Sequence, residues 1–230
     1  MVMEKKIKKI SAKCEVVETS ENEVDFHLYG PILNEKLTLY DDDEYTCPQQ
    51  VQEKLKQAKG KQINLHINSY GGDVFAGIAI HNALKNYEGK VVAYIDSIAA
   101  SAASVIAMGA DEIVMPNNAM MMIHNAWTYT AGNASELRAE ADKLEKINSS
   151  VRQSYMDKFI GSEEELTQLL DDESYLTAEE CITLGFANSV SKQEPQQKQE
   201  LNIKASILSK YKKTEDPKTN ILNKFRKEIK

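Results

Sequence analysis

An α/β body built on a largely parallel sheet is the fold class this sequence predicts, and three observations predict it. A strand-like stretch, a tight break and a helix-like stretch follow one another across residues 61–85. The same order returns across residues 90–108. Two further short apolar stretches then precede one long helical pattern. Strands alternating with crossover helices are the signature of parallel pairing.

Val24–Tyr29 reads as a strand stopped at Gly30-Pro31, and Gln49–Ala58 has helical composition after a start at Pro48. Lys61–Asn68 alternates in part as a strand does. Gly71-Gly72 breaks it, and Val74–Lys85 places Val74, Ile78 and Leu84 on helical spacing. Lys90–Ile95 is β-branched and apolar, a small-residue turn follows, and Ala102–Met108 reads as a buried helix stopped by Gly109. Ile113–Met115 and Met120–His124 read as short strands. From Ala134 to Phe159 there is no Gly or Pro, and Leu137, Ala141, Leu144, Ile147, Val151, Tyr155 and Phe159 recur at steps of three or four. That is a long amphipathic helix, whose apolar face either packs on its own sheet or projects towards another subunit. Ser162 with Glu165 and Thr177 with Glu180 form two capping boxes, each opening a short helix, the second ended by Gly185.

At 230 residues, with 42% hydrophobic and 27% charged residues, the chain suits one globular domain with appendages. Its net charge of -7 argues against a nucleic-acid or anionic-membrane binder, which needs a basic footprint. The charge is uneven: Ser191–Lys230 carries 11 Lys+Arg against 5 Asp+Glu, a polar, Pro-interrupted linker and basic tail. A phosphate-binding arm is the other reading of that tail. Cys14, Cys47 and Cys181 are odd in number and unpaired by spacing, so neither a disulfide framework nor a metal site is signalled. No signal-length apolar run follows the N-terminus, and the longest weakly polar stretches, Ser97–Ala110 and Ile113–Thr130, are either shorter than the ~20 apolar residues of a membrane helix or carry Asn, Pro and His. A cytoplasmic location follows by elimination.

Nucleophilic hydrolysis needs a hydroxyl or thiol, a base, a group to orient that base, and donors for an oxyanion. Ser101 lies where a strand hands over to a helix, uncrowded between Ala99-Ala100 and Ala102-Ala103. On position alone it is equally the N-cap of that helix. Ser97 and Ser104 compete for the role, but one precedes the turn and the other lies inside the helix. Among the four histidines, His27, His66 and His81 have no nucleophile near them in sequence. His124 ends the apolar run Met120-Met121-Met122-Ile123, which delivers it to a sheet edge, although a histidine there is also a common core residue. Gly71-Gly72 permits a backbone amide to approach a ligand closely, and equally makes a plain turn.

Taken in order, Ile67-Asn68-Ser69-Tyr70-Gly71-Gly72, Ala99-Ala100-Ser101, Met122-Ile123-His124, Tyr175-Leu176-Thr177-Ala178 and Gly185-Phe186 resemble the proteolytic subunit of the Clp protease, closest to its phage-borne or prophage branch. The likeness covers Val24–Val190. It implies an N-terminal segment over residues 1–20, a peptidase domain over 21–190 and a tail over 191–230. The fold it implies is the Clp/crotonase-type spiral of ββα units with the long helix as a projecting handle. Subunits would form a homo-oligomeric ring, with two rings joined face to face through that helix. Ser101 is then the nucleophile and His124 its base, with the amides of Gly72 and Ala102 forming the oxyanion hole and no cofactor or metal required. Aligning Tyr175-Leu176-Thr177-Ala178 on the family pattern puts Glu173 where most members have aspartate, with Asp172 as the fallback.

Departures from the family pattern are Tyr70 for a proline, Ser97 for a glycine, Asn125-Ala126-Trp127 for Gln-Pro, and an interval from Ser101 to His124 that is two residues short. Met1–Ile10 does not resemble the axial-pore loops through which members meet a Clp-type ATPase, the partner the family implies. The expected activity is hydrolysis of polypeptides, in phage head or scaffold processing or in Clp-type protein turnover. Two competitors stand beside it: a crotonase-like enzyme acting on acyl-CoA, and a catalytically silent ring-forming assembly protein.

Overall fold

The structure, a computed structural model, describes residues 10–34 and 45–191. The expectations for Met1–Ile10 and for the basic tail therefore fall almost wholly outside the described residues. In chain order the elements are β1 (Lys13–Glu18), β2 (Glu23–Tyr29), α1 (Pro48–Ala58), β3 (Gln62–Ser69), α2 (Val74–Lys85), β4 (Val91–Ala100) and α3 (Ala102–Met108). The second half holds β5 (Glu112–Pro116), β6 (Met120–Ile123), α4 (Ala134–Met156), α5 (Glu163–Asp171), β7 (Ser174–Thr177), α6 (Ala178–Thr183) and β8 (Ser189–Ser191).

The main path of the sheet runs β1-β2-β3-β4-β5-β8, and along it every pair is parallel except β1 on β2. This is the expected α/β architecture with a largely parallel sheet. Strict alternation in β2 and β3 puts Phe26, Leu28, Leu65 and Ile67 in the core at 0% exposure, while His27, Tyr29, His66 and Asn68 look out from the half-open face. Every residue of α3 is buried, and a methyl added at Gly77 of α2 would stand 3.0 Å from the Ala102 side chain. The small residues of 99–103 let two helices and a strand meet at this spot.

β4 is the pivot of the molecule. Its first half pairs with β5 through Val92, Ala93 and Tyr94, and its second half pairs with β6 through Ile98, Ala99 and Ala100. Between the halves the register with β3 slips, Ile67 facing Ile95 but Ser69 facing Ala99. Residues 96–100, expected as a turn, therefore remain strand. Their polar members Asp96 and Ser97 are exposed at the bulge, while Ala99 and Ala100 return to the core. β6 carries β7 antiparallel on its other side. The strands β1, β7 and β8 were not legible, being short or only half apolar.

α4 has 23 residues, about 35 Å of helix. Only Val151, Ser154 and Tyr155 on it are buried, and Leu137 is 44% exposed. Its last third is seated on the body, and the apolar stripe through Leu137 and Ala141 is left uncovered among the described residues.

The open sheet face carries a polar cluster. His66 Nδ1 lies 3.0 Å from Asp96 Oδ1, Asp96 also accepts from the Tyr29 hydroxyl, and His27 stacks on His66 at 4.9 Å. The hydrogen bond to Asp96 holds His66 above the ordinary histidine value, whereas burial pushes His27 below it. A raised value stabilises the fold below the unfolded-state pKa, and that contribution is lost as pH rises through the folded one. Asp96→Asn should therefore cost more stability at about pH 5.5 than at about pH 8.5. Urea unfolding at the two values checks this, and an equal or larger cost at the higher pH contradicts it.

Candidate active site

Two strand ends and one helix start converge beside the β4 pivot. Ser101 sits between β4 and α3 with φ 55 and ψ -126, a backbone conformation that costs a non-glycine residue on the order of 1–3 kcal/mol. Several bonds hold it there. Its N–H donates to the Met122 carbonyl at 2.9 Å, and its own carbonyl accepts from the amides of Ser104 (2.9 Å) and Val105 (3.2 Å). The Ser101 hydroxyl makes no bond to an α3 amide, so the side chain is not spent as a helix cap. It lies instead 2.7 Å from His124 Nε2.

That contact follows from strand pairing. β6 runs parallel to the second half of β4, with Ala100 facing Met122. The chain ends following the two strands, Ser101 and His124, thus leave the sheet at the same edge. Met121 and Ile123 at 0% exposure anchor the strand that delivers the imidazole. On the far side β7 is antiparallel to β6 with Ile123 facing Ser174, so the next residues along, His124 and Glu173, stand opposite one another.

Among the three neighbouring acids the structure discriminates. Asp171 Oδ1 accepts from Asn125 Nδ2 at 2.6 Å. Asp172 ends α5 and accepts from Gln168 Nε2 at 3.0 Å. Glu173, at φ 50, makes no side-chain hydrogen bond among the described residues, and its charge acts on His124 through space. The structure thus brings Ser101 and His124 into contact and places Glu173 in register beside them without a bond to the imidazole.

Burial pushes His124 below the ordinary value of 6.5, and the Glu173 carboxylate pulls it part of the way back. A base must be neutral to accept a proton, so hydrolysis should rise with pH through this lowered pKa. Removing the Glu173 charge should lower the pKa further. In a pH profile of kcat/KM, the acidic midpoint should lie below 6.5, and Glu173→Gln should move it to still lower pH. An upward shift in that variant would show that the carboxylate does not act on His124.

The Gly71-Gly72 turn is clamped from both sides. Ile32 N–H donates to the Gly71 carbonyl at 3.0 Å, and Asp73 N–H donates to the Ile32 carbonyl at 2.8 Å. The Gly72 amide between them finds no acceptor among the described residues, and neither does the Ala102 amide at the first turn of α3. Both residues line a cleft of about 230 Å³ shared with Ser101, His124, Val74, Val105, Trp127, Val151 and Tyr155. A larger hollow of about 480 Å³ beside α1 and α2 has no Ser, Cys or His in its wall.

The competing residues go elsewhere. Ser97 is exposed at the β4 bulge, Ser104 is buried inside α3, His27 and His66 stand on the open sheet face, and the ring of His81 bonds the Val105 carbonyl at 2.9 Å. No group of three metal-ligating side chains occurs among the described residues, and no helix among them is long and apolar enough to cross a membrane. Sequence reasoning missed Tyr155 as a wall of the cleft and Ser104 as its neighbour; a hydroxyl-bearing residue on an otherwise apolar stripe was the only signal.

Comparison with known proteins points to one family. The family model described as Clp protease matches residues 20–194. An ATP-dependent Clp protease proteolytic subunit of Chlamydomonas reinhardtii is 29% identical over 147 residues, 63% of this chain and 28% of that protein. The proteolytic subunit of Chlorella vulgaris is 28% identical over 138 residues, 59% of this chain and 68% of that one. The chain thus spans under a third of the first relative and about two thirds of the second. Among solved structures, a ClpP1 mutant from Listeria monocytogenes has the same fold, with a TM-score of 0.60 at 22% identity over 74% of this chain and 92% of that one.

Proposed function

The chain belongs to the Clp protease family, and from that footing we propose that it is a serine endopeptidase cleaving polypeptides inside a homo-oligomeric ring. One observation carries the reading: the hydroxyl of a conformationally strained Ser101 lies 2.7 Å from His124 Nε2, in a cleft lined by Gly72 and Ala102, whose amides meet no acceptor among the described residues. Ser101 Oγ attacks the scissile carbonyl carbon while its proton passes to Nε2. The charge developing on the carbonyl oxygen is taken up by the two amides, each such donor being worth ~3–4 kcal/mol in the transition state. His124 then returns the proton to the leaving amine, the C–N bond breaks, and water clears the acyl-enzyme by the same route. Glu173 steadies the imidazolium, its register opposite His124 making it the acid of choice over Asp172.

The uncovered stripe of α4 supports ring-to-ring contact. A cytoplasmic setting and a Clp-type ATPase partner belong to the same reading, as do both jobs, phage head-protein processing and protein turnover. A fluorophosphonate tests the chemistry. The adduct should map to Ser101 and vanish in Ser101→Ala. A folded ring that takes no label would point to the assembly role, and acyl-CoA binding without label to the crotonase-like one.

A further inference from the structure

We propose that Ser104 and Tyr155 are positioning residues that hold the Ser101 hydroxyl and the His124 imidazole in line, an inference that rests on Ser101 being the nucleophile. Ser104 Oγ has three oxygens around it: the Ser101 carbonyl at 2.6 Å, the Met122 carbonyl at 3.0 Å and the Tyr155 hydroxyl at 2.8 Å. Both carbonyls can only accept. Tyr155 must therefore donate to Ser104, whose single hydrogen is left for the two carbonyls. Neither side chain is exposed, so no solvent can take over these bonds.

The placement matters more than the count. One carbonyl belongs to the nucleophile itself. The other belongs to Met122, which already receives the Ser101 N–H and stands two residues before His124. A single hydroxyl thus touches both arms whose separation sets the 2.7 Å contact. Ser101 is off the favoured backbone regions and needs such restraint to stay there. Tyr155 reaches this hydroxyl from the seated end of α4, its ring edge-on to Phe186 at 5.7 Å. An apolar side chain would fill the same space without burying a phenol, so packing alone does not account for its hydroxyl. Through it, the seating of the projecting helix bears on the alignment of the dyad.

Ser104→Ala, Tyr155→Phe and the double variant separate alignment from stability. Ser104→Ala orphans the buried Tyr155 hydroxyl and should lower the urea midpoint. The double variant leaves no buried polar group alone and should regain most of that loss. Catalysis should not return with it. In Ser104→Ala and in the double, kcat and the rate of fluorophosphonate labelling should both fall about ten- to hundredfold, with KM within about twofold. Tyr155→Phe should fall less. Rates that recover along with stability in the double, or stay at the parent level in all three, overturn the positioning role. If the parent protein takes no label at Ser101, the nucleophile assignment itself has failed and the inference falls with it. Should Ser104→Ala not fold, Tyr155→Phe and the double decide.

Discussion

Ser101→Ala is expected to lower kcat for peptide hydrolysis by on the order of 10⁴–10⁶-fold while leaving the fold intact. Removing the hydroxyl takes away the only one that contacts His124 among the described residues, since Ser104 is buried with its hydroxyl engaged and Ser97 is exposed on the bulge. His124→Ala should fall into the same range. The double variant should be little worse than either single one, because the pair acts as a unit. The unfolding midpoint should barely move: alanine tolerates φ 55 no better and no worse than serine, and the Ser101 side chain contributes no helix cap. Urea titration beside single-turnover kinetics checks both halves. Hydrolysis persisting in Ser101→Ala would sink the proposed chemistry whatever the fold.

How far the sequence alone leads can be judged element by element. The apolar alternation of β2 and β3 and the cap signals at Ser162 and Thr177 were readable because each depends on neighbours a few residues away. The β4 pivot was not. Asp96 and Ser97 look like the end of a strand, and only a parallel partner arriving from residues 120–123 keeps Ile98–Ala100 hydrogen-bonded. The same limit applies to the site. Ser101 and His124 stood out as a pair through the order of several motifs, not through their own surroundings. Glu173 could be aligned but not distinguished physically from Asp171 and Asp172, because their difference lies in Asn125, Gln168 and the β6–β7 register. The bond between Tyr155 and Ser104 spans 51 residues and left no local trace at either end.

Gly72→Ala should damage stability and chemistry together. The added methyl would stand 1.9 Å from the Ile32 carbonyl oxygen, against backbone that cannot swing aside as a flexible side chain does, and φ 153 is itself unfavourable for an L side chain. Relief requires the Ile32 segment to back away. That breaks the bonds from Ile32 N–H to Gly71 and from Asp73 N–H to Ile32, which fix the turn. Overpacking and backbone strain together should cost about 2–4 kcal/mol. Any molecules that do fold carry a displaced Gly72 amide, and losing that donor should lower kcat by about 10²–10³-fold. The two losses can be told apart. Stability is read from the urea midpoint, whereas the catalytic loss is read per labelled active site, so that unfolded protein does not count. A variant with the parent midpoint would mean that the clamp around Ile32 is loose. A variant with normal turnover per labelled site would mean that the amide at position 72 does not face the developing charge. The turn and the oxyanion donor are one object here, because the bonds that leave the Gly72 amide free also forbid a side chain at that residue.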